Sequence, residues 1–170
     1  MSRSQWVLVL YFFLSLSGCA GAAGGAIAGE EAEAVVIFSS LYSEGLGQTA
    51  GAAWIDNQQE LLSAMDKASR QRLGVNPQTP PSMDYAREGV LAIWMGSMPT
   101  GGYRIKLASD MVSVKDGTAV VKVLWIEPSE KAFLTQAITS PCIMIKLTRT
   151  GFTRIKVVDQ KGIIRAETGI

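Results

Sequence analysis

The chain contains no histidine. Ser-His-Asp and Cys-His catalytic arrangements are therefore excluded outright, and so is every metal site built on imidazole. Cysteine is nearly absent too, with Cys19 and Cys142 as the only two. Charge of one sign is also missing, since 16 basic residues stand against 15 acidic ones. A near-neutral chain lacks the electrostatic footprint of a nucleic-acid binder, and no nucleic-acid partner is expected. Finally, no apolar run reaches the roughly 20 residues needed to span a bilayer. The longest, Trp6 to Leu16, is a short uncharged stretch behind Arg3.

A basic start followed by a short apolar core has the form of an export signal. The residues closing it, Leu16-Ser17-Gly18-Cys19, resemble the lipobox of bacterial lipoproteins. That resemblance implies that residues 1–18 are a cleaved signal peptide and that Cys19 becomes the acylated first residue of the mature chain. The protein is then exported and anchored in a membrane through lipid. Ala20 after the cysteine is compatible with sorting to an outer membrane. A lipidated Cys19 cannot pair with Cys142, so packing alone must hold the mature domain together.

Residues 20–29, AGAAGGAIAG, lead into Glu30, Glu31 and Glu33. Gly21, Gly25 and Gly29 recur every fourth position, which would suit close helix packing in a membrane. A flexible tether is the other reading. The acidic cluster ends the run far short of a span, which favours a tether over residues 19–33 and a folded domain over 34–160, followed by a C-terminal tail at 161–170.

Within the domain, Val35 to Tyr42 has strand composition, and EGLGQTAG after it reads as a glycine-rich loop. Asp56 and Gln59 have capping-box spacing, and Leu61, Leu62, Met65 and Ala68 form an apolar face, so the pattern predicts a helix over about 58–72. Pro77, Pro80 and Pro81 end it. Val90 to Met95 is an apolar run expected of a central strand covered on both faces. Strands are further expected at 103–107, 112–114, 119–126, 142–147 and 152–158, with a turn at Asp116-Gly117. The expected fold is α+β, a mostly antiparallel β-sandwich or curled sheet of six to seven strands with one helix.

Gly96 and Gly101 stand at the G-x-x-x-x-G spacing of a phosphate-binding loop. A true P-loop needs Lys and Ser or Thr next, then a helix. Gly102, Tyr103 and an alternating strand occupy those places. No nucleotide or other cofactor is expected. Pro99 and Gly101-Gly102 suit a tight hairpin tip instead. Cys142 sits in an apolar strand as an inert thiol. Asp84, Glu88 and Glu127 read as solvated surface acids. No catalytic residue, metal site or enzymatic activity is expected.

Two segments resemble a known family. Val90 to Gly96 followed by Pro99-Thr100-Gly101-Gly102-Tyr103, and Thr135 to Cys142 followed by Ile143 to Lys146, are similar to the two signatures of the PrcB C-terminal domain. Asp84-Tyr85 resembles the Asp-Phe pair that often precedes its first core strand. Cys142 departs from the Tyr usual after Ser-Pro in that family. The resemblance implies a secreted or lipid-anchored accessory protein without catalytic machinery, whose namesake serves a surface protease complex. A protein partner, a protease among the candidates, is then expected to meet the loop Met98, Pro99, Thr100, Gly101, Gly102 and Tyr103. That loop is also similar to the inhibitory loop of chagasin-like cysteine-protease inhibitors, so direct inhibition is an alternative. A structural envelope protein with no protease link is another.

Overall fold

The computed structural model describes residues 30–69, 79–129 and 131–170. The expected signal peptide, Cys19, the tether up to residue 29, the helix end at 70–72 and Pro77 lie outside the described residues. Nine strands and a helix run in the order β1 (Glu30–Ser40), β2 (Thr49–Ile55), α1 (Gln58–Ser69), β3 (Glu88–Gly96), β4 (Arg104–Leu107), β5 (Met111–Lys115), β6 (Thr118–Ile126), β7 (Cys142–Thr148), β8 (Arg154–Val158) and β9 (Ile164–Gly169). The sheet order is β2-β3-β7-β1-β5-β6-β8-β9, with β4 paired to β6. Its two end strands, β2 and β9, lie side by side, so the curled sheet is nearly a barrel. All ladders are antiparallel except β6–β8.

Two apolar clusters hold this shape. One fills the barrel interior with Leu91, Ile93, Ile143, Ile145, Val121 and Ile155 among others. The second lies between the outer wall and α1, and joins Val90, Ala92, Cys142 and Met144 to Leu61, Met65 and Ala68. β3 and β7 supply both clusters from alternate residues, because successive side chains leave a strand on opposite faces. The continuous apolar run at Val90–Met95 is explained by burial on both sides, as expected from the sequence.

β1 serves two neighbours in turn. Glu30 to Glu33 pair with β5, and Ala34 to Ser40 pair with β7. A bulge between Val36 and Phe38 reverses the facing of the even-numbered positions. Ala32 and Ala34 therefore point into the barrel, whereas Phe38 points out beneath α1. The acidic cluster is thus part of a strand, and the folded domain starts by Glu30 rather than after a tether ending at 33. The expected tail is corrected likewise, because Ile164–Gly169 is the edge strand β9. The remaining missed strand is β2, within and beyond the stretch read as a loop.

α1 starts at Gln58, as expected, but its N-cap lies one residue later than the Asp56–Gln59 spacing suggested. Asn57 Oδ1 accepts the Glu60 N–H at 2.9 Å, so Asn57 rather than Asp56 is the N-cap. Its buried face is Leu61, Ala64, Met65 and Ala68, while Leu62 is half exposed. No helix among the described residues is long and apolar enough to cross a membrane.

The link from β8 to β9 is organised by Asp159, whose side chain is fully buried. Its Oδ1 accepts the N–H groups of Lys161 at 2.8 Å and Ile163 at 3.0 Å. Arg165 Nε donates to Oδ2 at 2.8 Å, and the same guanidinium lies over the Trp125 ring. Desolvation favours the neutral acid, but the Ile163 and Lys161 donors and Arg165 outweigh it, so the carboxyl titrates below its ordinary 3.8. A depressed folded pKa stabilises the fold above the unfolded value and loses that contribution as pH falls through the folded one. Asp159→Asn should therefore lower the urea midpoint at about pH 7, and its difference from wild type should shrink below about pH 4. A constant difference across that range would contradict the assignment.

Candidate functional site

The loop 97–103 leaves β3 at Gly96, whose φ of +82° turns the chain away from β2. Ser97 N–H then donates to Gln48 C=O at 2.9 Å. The loop is not a hairpin tip. Both sides of β3 are occupied, by β2 and β7, so the chain must cross to a different neighbour, and β4 docks on β6. Proximity in sequence suggested a hairpin, but the saturated edges of β3 forbid it.

The crossing is held by the second signature segment. Met98 and Thr139 form an isolated antiparallel bridge, with N–H···O contacts of 2.7 and 3.0 Å. Gly101 N–H donates to Thr135 C=O at 3.0 Å, and the Thr139 hydroxyl donates to Thr100 C=O at 2.9 Å. The two glycines have different tasks. At Gly101 a Cβ would stand 2.4 Å from Thr135 Oγ1, so that hydroxyl would have to turn aside to admit a side chain. Only Gly102 uses a positive φ, +91°. Tyr103 is half-buried against the interior cluster. Of the six loop residues, Pro99 and Gly102 are exposed, Met98 and Thr100 are half-buried, and Gly101 is buried.

Ser140 is fully buried and bonded to a residue that the sequence did not single out, Ser43. The Ser43 hydroxyl donates to Ser140 C=O at 2.7 Å and lies 3.1 Å from the Ser140 hydroxyl. Ser43 N–H also donates to Ser140 C=O, at 2.9 Å, and Ser140 N–H donates to Leu41 C=O at 2.7 Å. Pro141 C=O accepts Met95 N–H at 2.9 Å, which ties the segment to the end of β3. The Thr-Ser-Pro residues thus answer buried backbone groups, an architectural duty. No spacing rule links Ser43 to a partner 97 residues away.

Chemically the same region is quiet. Cys142 is 1% exposed. Burial pushes its thiol up to about 11, against weaker opposing hydrogen bonds from Ser43 and the Ser40 backbone. A protonated, enclosed thiol is a poor nucleophile at neutral pH. Iodoacetamide should accordingly leave Cys142 unlabelled in the folded protein and modify it after denaturation, as site-resolved mass spectrometry would read. Labelling at comparable rates in both states would overturn this. The three acids considered from the sequence form no catalytic pair. Lys146 bonds Glu88 at 2.8 Å and holds its carboxyl below the usual range. Asp84 stands 3.8 Å from Arg87, and Glu127 lies 3.5 Å from Arg165.

What this end offers is apolar surface. Phe133 is wholly exposed, and Ile138 is 60% exposed. Leu134 packs near Gly102, and Thr135 receives the Gly101 bond, so the segment carrying Phe133 is fastened directly to the loop. Phe133 and Ile138 thus stand as two exposed apolar side chains on the segment that braces the loop. Phe133 was missed in the sequence because a Phe between Ala132 and Leu134 in an aperiodic segment carries no facing information.

No curated protein and no solved structure matches the chain. Residues 90–148 do match a family model, described as PrcB C-terminal. That span begins in β3, ends with β7, and contains the loop, its brace and Phe133. Over this segment the chain is similar to the PrcB C-terminal family.

Proposed function

We propose that this protein is a non-catalytic accessory subunit that binds a protease or its precursor at a membrane surface. The observation that carries the reading is the joining of loop 97–103 to the 133–141 segment, which puts Phe133 and Ile138 on one braced, chemically inert end of the barrel. A buried, high-pKa thiol and the absence of histidine favour action by contact. The match to the PrcB C-terminal family adds the protease association that the name implies.

Lipid on Cys19 would concentrate the domain at the membrane. Several acyl chains, as expected at a lipobox, anchor durably where one alone would not. The anchor is tested by growing cells with labelled palmitate: label should appear on the wild type and vanish in Cys19→Ala. Equal labelling of both would exclude it. The partner is tested by affinity purification of the tagged full chain from detergent-solubilised envelopes. Recovery of a protease or its zymogen supports the reading, whereas recovery of cell-wall or assembly proteins alone supports the structural alternative. Chagasin-like insertion of Met98–Tyr103 into a protease cleft has less support, because only Pro99 and Gly102 are exposed in a loop that is otherwise pinned.

A further inference from the structure

The partner change of β1 leaves two strand edges open. Beyond Ala34, whose N–H donates to Asp110 C=O at 2.7 Å, β1 has a ladder with β7 on one edge and none with any described strand on the other. β4 likewise pairs with β6 alone. The two open edges border one cleft of about 260 Å³, lined by Ser39 and Ser40 of β1 with Leu41 after them, by Arg104–Lys106 on β4, and at its end by Pro141 and Cys142 where β7 begins. On each strand, alternate N–H and C=O groups point away from the paired neighbour.

Charge identifies what belongs there. Arg104 and Lys106 are exposed, two residues apart and so on the same face of β4, and neither makes an ion pair among the described residues. The opposite wall offers no acid. It carries the serines and the partly exposed Leu41, with Val35 and Val36 exposed further along β1. Two uncompensated cations beside open strand edges suit an extended chain that has carboxylates at alternate positions.

We propose that this cleft binds an extended acidic segment of a partner protein, with a Glu-x-Glu pattern, by strand addition. Backbone bonds to the open edge of β1 or β4 hold the segment, its carboxylates meet Arg104 and Lys106, and its apolar side chains cover Leu41. The inference goes beyond the accessory reading, because the cleft, whose lining does not include Phe133, adds a peptide site next to the loop and its brace.

The test is fluorescence anisotropy of the full chain with a fluorescein-labelled peptide of alternating Val and Glu. Saturable binding is expected, weakened about tenfold by Arg104→Glu with Lys106→Glu and abolished by backbone N-methylation of the peptide. The same peptide with Lys in place of Glu should not bind. Amides of 35–41 or of 104–107 should gain protection from hydrogen exchange in the complex. Phe133→Ala should leave the peptide affinity unchanged, which separates failure here from failure of the accessory reading. Should the charge-reversed protein not fold, the N-methylated and Lys peptides still decide. The proposal is overturned by absent binding, by equal binding of the Lys or N-methylated peptide, or by unchanged exchange at both edges. A dimer of the chain that Arg104→Glu dissociates, with no peptide binding, would mean that the cleft takes a second copy instead.

Discussion

Gly96→Ala is expected to destabilise the protein by roughly 2–4 kcal/mol, the joint cost of a side chain at positive φ and of overpacking. The φ of +82° disfavours any residue with a Cβ. The added methyl would also stand 2.5 Å from Gln48 C=O and 2.7 Å from the Thr49 carbonyl carbon. Those obstacles are backbone, and they are held by the Thr49–Gly96 pairing and the Ser97–Gln48 bond, so they cannot swing aside. Gly162 provides the control. Its φ is +80° with nothing within 4 Å of a Cβ, so Gly162→Ala should lose only the conformational part, about 1 kcal/mol. Urea midpoints with unchanged m-values would measure both. Equal losses at the two sites would show that the close approach at Gly96 contributes nothing.

Phe133→Ala should weaken partner binding by about 30-fold, corresponding to ~2 kcal/mol for a contact anchor. The thermal midpoint should hardly move, because substitution of a fully exposed side chain changes stability by about 0.5 kcal/mol or less. Ile138→Ala should have a smaller effect on binding in the same direction, since less of its surface is free. The pair of readouts separates recognition from folding. A large loss of stability in Phe133→Ala would mean that the ring packs rather than binds.

Legibility in the sequence followed the strength of the local pattern. β3 and β7 were readable because both faces are buried and the apolar runs are unbroken. Asp116-Gly117 was readable because both residues take positive φ, at 51° and 70°, in the tight link from β5 to β6. β2 was hidden by its small residues, and the reason lies in its neighbour. A Cβ on Gly51 would stand 2.6 Å from Trp94 Cζ2, so the strand is kept small beneath an indole whose Nε1 donates to Thr49 C=O at 2.8 Å. β9 was hidden because Arg165 and Glu167 answer Asp159 and Lys156 instead of marking solvent. Pairing was the least legible level. The β3–β4 and β7–β8 links are short enough for hairpins, yet each joins strands that pair elsewhere, because β3 and β7 already have two neighbours apiece. The same limit applies at the candidate surface. Pro99 and Gly102 could be read as a turn, but Thr135, Thr139 and Ser43, which fix it, act across long stretches of chain.

The most direct measurement is photo-crosslinking in intact cells, with a photoreactive amino acid at position 133 of the otherwise unaltered protein. The expected result is an envelope-localised adduct whose second component is a protease or its precursor, lost when the same group is placed at exposed Lys115 at the end of β5. Absence of any adduct at 133, or hydrolysis of a substrate by the purified chain alone, would contradict a protein that works by contact.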